Sequence, residues 1–228
     1  MERCHELKIG WQQFWAGRSI ASLDSLQQQE IDRIFQLLIA AYTHPDRHYH
    51  NLNHIYHLLA IIQRFDRESS PNSVHLQDAS SVILAAWFHD FVYDPQATDN
   101  EIQSAKAATE LLANLHVSLD LDRIERLILA TQGHQIDPDD ADLCMFLDAD
   151  LAILGADPVR YAAYVRSIRR EYDWVDEASY RTGRRRVLVS FLQRDRLYHT
   201  DLLFDELEAI ARVNLQQEIN LLEDSSAS

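Results

Sequence analysis

Apolar residues return every three or four positions through most of this 228-residue chain, and that spacing constrains its fold more than any other feature. Leu23, Leu26, Ile31, Ile34, Leu38 and Ala41 keep helical register across residues 23–43, with Asp24 or Ser25 placed to cap the start and Pro45 to stop the run. Residues 51–65, 99–115, 120–132, 183–194 and 201–222 repeat the pattern. Residues 78–91 are apolar almost all round, which predicts a central, buried helix. Asp142 to Leu154 follows Pro138 and stops at Gly155, and Asp157-Pro158 puts a proline in the first turn of a helix reaching Tyr172. No alternating strand pattern competes for more than a few residues. Five glycines and five prolines are too few for a turn-rich sandwich or barrel, and they leave no Gly-rich loop to cradle phosphates. The expectation is an all-α, single-domain bundle of eight or nine helices over residues 1–228, with loops at 67–75 and a polar tail at 224–228.

Charge narrows the function classes. Twenty-one Lys and Arg against 36 Asp and Glu leave a net charge of −15. Nucleic-acid polymers and anionic membranes need a cationic face that such a chain lacks. A phosphorylated small molecule would require positive charge gathered at one point, from a metal or a few placed arginines. Cys4 and Cys144 make neither a disulfide framework nor a metal knuckle. The N-terminal residues hold no apolar signal core, and no run of about 18 apolar residues exists for a membrane span. A reduced, cytoplasmic protein is expected.

The histidines are unevenly placed. His44, His48, His50, His54 and His57 crowd into fourteen residues, and the 50/54/57 spacing on a helix would line three imidazoles along one side. His54 falls in the core stripe of its own helix, amid Leu58, Ile61 and Phe65. An imidazole there must find a partner, because burying a polar group without one costs roughly 2–7 kcal/mol. His89-Asp90 ends the apolar run VILAAWF, and two ionisable groups finishing a buried helix are costly unless they share a charge or bind one. In FLDADL, Asp148 and Asp150 point opposite ways on a helix; projection aims Asp150 at Leu143, Phe146, Leu147, Ile153 and Leu154, toward the core. Asp148 shares its side with Cys144, Met145, Ala152 and Gly155. Each position also has a plain structural reading: a core histidine on a backbone carbonyl, a helix-end pair facing solvent, a neutralised or paired carboxylate. Together, His54, His89, Asp90 and Asp150 are candidates for one buried site. Two imidazoles and two carboxylates suit one Mn2+, Fe2+, Zn2+, Co2+, Ni2+ or, less well, Mg2+, with water completing the shell.

The order of these residues, His54, then His89-Asp90, then Asp150, resembles the H…HD…D pattern of the HD superfamily of metal-dependent phosphohydrolases. The surrounding text is similar to a small subfamily of predicted HD phosphohydrolases: RHYHNLNHI (47–55), AAWFHDFVYDP (85–95), DNEIQSA (99–105), ILATQGH (128–134), FLDADLAILG (146–155), IRREY (168–172) and GRRRVLVSFL (183–192). The motifs span residues 47–192; helices within 1–43 and 201–222 would complete the bundle or form a homodimer face. The resemblance implies hydrolysis of a small phosphate ester, often a nucleotide, by a metal-activated water. Asp94 is the nearest carboxylate for acid/base work, with Glu101 and Asp99 behind it. Many such enzymes carry a glutamate at the position of Tyr93 here. His134 would contact phosphate or a second ion, with His116 the only other histidine between Asp90 and Asp150. Arg47 and Lys106 flank the two histidine motifs as phosphate ligands, ahead of Arg169, Arg181 and Arg184. Two other readings compete: a non-catalytic module binding metal or nucleotide, and, less strongly, a dinuclear iron oxygenase.

Overall fold

The computed structural model describes residues 2–17, 23–67, 76–134 and 136–224; the polar stretch after Arg67 and the tail after Asp224 lie outside them. Among the described residues every regular element is helical, ten α-helices and one 3₁₀ turn, with no strand. No helix among them is long and apolar enough to cross a membrane. The chain comprises two compact units, Met1–Ile61 with Asp78–Gln135, and Ile62–Gln77 with Ile136–Ser228.

The first unit carries α1 (Glu2–Gly17), α2 (Ser25–Tyr42), the first turns of α3 (Leu52–Arg67), α4 (Ala79–Phe88), α5 (Asn100–Ala113) and α6 (Leu121–Ala130). The apolar sweep of α4 is buried as the sequence predicts, with Val82 and Leu84 to Phe88 inside. Its Trp87 meets Trp11 of α1 edge-on at 5.4 Å and Phe35 of α2 at 6.0 Å, an aromatic knot that joins three helices. Tyr42 Oη donates to the carbonyl of Trp87 at 2.9 Å, so the end of α2 is tied to the last turn of α4. α5 and α6 close over α4 from the other side of the sequence.

The second unit carries the end of α3, α7 (Ala141–Leu151), a 3₁₀ turn (Ala152–Gly155), α8 (Pro158–Glu171), α9 (Glu177–Leu192) and α10 (Asp201–Asp224). The 3₁₀ turn packs on α10, and Asn214 of α10 donates to the carbonyls of Leu154 and Ala156 at 2.8 and 2.9 Å. Gly155 sits at this approach: a Cβ there would lie 2.6 Å from Leu207 Cβ and 3.0 Å from the Leu207 carbonyl oxygen. Gly155→Ala should therefore destabilise the protein by about 1–3 kcal/mol, read as a lower urea midpoint with an unchanged slope. A midpoint equal to wild type would show that α10 yields freely.

Helix starts consume much of the acidic excess. Asp24, Asp78, Asp120, Asp140, Asp157 and Asp176 each accept hydrogen bonds from first-turn amides with their side chains. A carboxylate there satisfies orphan N–H groups and favours the positive end of the helix dipole. Asp176 explains why α9 begins at Glu177 rather than at 183: its side chain caps Ser179 N, and the exposed Gly183 lies inside the helix without breaking it.

Candidate metal centre

The centre is built at the C-terminal end of α4 and the N-terminal end of α3. α3 begins at Leu52, with Asn51 Oδ1 accepting from Asn53 N at 2.9 Å. His50 thus lies in the preceding turn, and only His54 and His57 of the expected triple are on the helix. His54 is buried one turn into α3, followed by buried Leu58. His89 is the C-terminal cap residue of α4 and is 2% exposed.

Three polar atoms converge there. His54 Nε2 and His89 Nε2 are 3.1 Å apart, and Asp90 Oδ2 lies 3.0 Å from His89 Nε2 and 3.6 Å from His54 Nε2. His89 Nδ1 is 3.0 Å from the Ala86 carbonyl oxygen, which accepts only a proton-bearing nitrogen. We assign the Nδ1–H tautomer on that contact, which leaves the His89 Nε2 lone pair aimed at the group. A lone pair facing a carboxylate oxygen at hydrogen-bond distance calls for a proton or a cation between them. His54 and His89 belong to a His–His–Asp set that could hold a metal ion, and mixed N/O donors of that kind are open to several divalent ions.

Burial works against ionisation of Asp90, but the His89, His50 and His54 imidazoles outweigh it and hold its carboxyl well below the usual range. His50 is thus part of the electrostatic surroundings of Asp90. Its ring also packs against Tyr93, tilted by 31° with centroids 4.2 Å apart.

The other sequence candidates make local contacts of their own. Asp94 is exposed; its carboxylate accepts from Gln96 N at 2.9 Å, and its backbone exchanges two hydrogen bonds with the Asn100 side chain. Lys106 is exposed and faces Glu110 one turn on at 3.9 Å. Glu101 is half-buried in the first turn of α5, and Asp99 accepts from Gln103. His134 follows Gly133 past the end of α6, both in left-handed conformation with φ of 52° and 78°. Arg47 donates to the carbonyls of His50, Asp90 and Phe91.

In the second unit, Arg169 donates to the carbonyls of Tyr172 and Val175, and Arg181 to that of Leu222. Arg184 is buried against Glu218. Asp150, on α7, is half-buried, and Asp148, which projection turned away from it, is also buried at 1% exposed. α7 is buried all round from Asp142 to Ala149, so helical projection has no solvent side to choose. The Asp148 carboxylate accepts from His199 N at 2.9 Å and from Thr200 N and Oγ1 at 2.7 Å each, serving the start of α10. Burial nevertheless pushes its carboxyl up to about 6, against those donors. No family model, no curated protein and no solved structure matches the chain.

Proposed function

We propose that this protein is a divalent-metal-dependent phosphohydrolase acting on a small soluble phosphate ester, nucleotides among them. The observation that carries the reading is the convergence of two buried imidazole nitrogens and the Asp90 carboxylate within 3.0–3.6 Å of one another. In this reading His54, His89 and Asp90 hold the ion, and Asp150 is the fourth ligand that the sequence resemblance implies. The ion would supply a lowered water pKa and a polarised phosphoryl oxygen. The Ala86 carbonyl would fix the His89 ring, as outer partners of ligating imidazoles do. A cavity of about 390 Å³, bounded by His44, Arg47, Tyr93 and Asp94, gives room for a small phosphorylated molecule beside the segment that follows Asp90. Asp94 lines that cavity and is the proposed acid/base group; Glu101, His134 and Lys106 are proposed substrate contacts.

One observation favours the second reading, a module that binds metal and a small phosphorylated ligand without hydrolysing it. Tyr93, packed against His50, occupies the place where the resemblance leads one to expect a glutamate, and Asp94 is already engaged by Gln96 N.

Phosphate release from p-nitrophenyl phosphate and a panel of nucleotides, with each divalent ion in turn, separates the two. Hydrolysis that disappears with chelation, in Asp90→Ala and in Asp150→Ala supports the enzyme. Activity surviving chelation and Asp90→Ala overturns it. Nucleotide-dependent thermal stabilisation without phosphate release favours the binding module.

A further inference from the structure

A single guanidinium joins the two ends of this centre. Arg47 Nη1 donates to the Asp90 carbonyl at 2.6 Å and to the His50 carbonyl at 3.3 Å, while Nη2 donates to the Phe91 carbonyl at 2.8 Å. Its carbon lies 5.0 Å from the Tyr42 ring centroid and 5.5 Å from that of Tyr93. The carbonyls ending a helix have no partner within it, so the chain leaving α4 would otherwise be held there chiefly by water. Arg47 supplies donors at that point and grips the turn that leads into α3 with the same side chain. Tyr42, bonded to the Trp87 carbonyl, closes the arrangement against the last turn of α4. One group thus reaches both the backbone of Asp90 and the turn four residues before His54.

We propose that Arg47 is a positioning residue of the metal centre: by clamping the Asp90, Phe91 and His50 carbonyls it holds the His54 imidazole and the His89-Asp90 pair at ligating separation. The inference rests on the metal reading above. It gives Arg47 a role acting through other residues, in place of the phosphate contact expected from the sequence. Lysine could not replace it, because an ammonium is a point donor and the three carbonyls match the planar fork of a guanidinium.

The test is Co2+ binding by equilibrium dialysis on the full chain, wild type against Arg47→Ala and Arg47→Lys. Loss of an outer partner of this kind typically costs 10–100-fold in metal affinity, so a fall of about that size is expected in Arg47→Ala. Millimolar methylguanidinium, which refills the vacated fork, should restore most of it, and Arg47→Lys should remain weak. A merely structural arginine would not give that rescue. Wild-type affinity in a folded Arg47→Ala, or a loss that methylguanidinium leaves unchanged, overturns the inference while the metal reading stands. If Arg47→Ala fails to unfold cooperatively, Arg47→Lys decides: weakened Co2+ binding supports the clamp and wild-type binding overturns it. Wild-type protein that binds no Co2+ removes the metal reading, and the inference with it.

Discussion

Arg184→Met is expected to lower the unfolding free energy by about 3–5 kcal/mol, one of the two largest effects predicted for this chain. Arg184 and Glu218 are 8% and 4% exposed at their side chains and meet through two contacts of 2.7 and 3.1 Å. Tyr161 Oη donates to the same carboxylate at 2.5 Å, and Arg184 Nη1 donates to Tyr164 Oη at 3.2 Å. Burial disfavours the guanidinium charge, but Tyr164 and Glu218 outweigh that and keep it firmly protonated. Removing the arginine leaves the Glu218 carboxylate buried with only a phenol for company. The penalty belongs to the orphaned charge more than to the lost attraction. The double variant Arg184→Met/Glu218→Leu should therefore recover a large part of the loss. Urea midpoints for the two singles and the double measure this directly. A double variant as unstable as the sum of the singles would show that the pair is not coupled.

The second large effect concerns the centre itself. Wild-type protein should melt higher in the presence of Co2+ or Mn2+, because an ion that binds only the folded state stabilises it by about 2.7 kcal/mol at a hundredfold excess over Kd. His89→Gln should abolish that gain. The variant keeps a polar side chain of similar reach, so its melting without metal should stay near wild type while the metal-dependent increment disappears. Chelator should likewise return wild type to its metal-free melting temperature and leave the variant unchanged. A metal-dependent increment that persists in His89→Gln would place the ion elsewhere.

Much of the fold was legible because helical burial follows a local rule. An apolar stripe at helical spacing has to face other apolar surface, and α4, apolar on every side, could only be central. Starts were readable where a capping aspartate stands beside a helix former, as at Asp24 and Asp157. α9 was misplaced because Gly183 looks like a boundary when its neighbours are unknown; the tertiary structure tolerates it on an exposed face, and the cap at Asp176 fixes the real start.

The site divides along the same line. His54, His89 and Asp90 could be singled out from sequence, since an ionisable group placed in an apolar run is costly wherever the chain goes. Their mutual approach to 3.1 Å was not in the sequence, because 35 residues separate the histidines and only packing brings α3 to the end of α4. Asp148 shows the limit most plainly. Its burial reflects the amides at Thr200 and His199, which no projection of α7 contains. The same holds for the arginines: sequence offers them as phosphate ligands or as surface and salt-bridging cations, while the folded chain directs Arg47 to helix-end carbonyls and Arg184 to a buried glutamate.

What the sequence by itself determined is the all-helical class and the residue types able to ligate an ion, because both follow from spacing and from the cost of burying charge. The tertiary structure alone decided which polar groups meet. Hydrogen-bond partners are chosen across segments far apart in the chain, where distance along the sequence carries no information about distance in space.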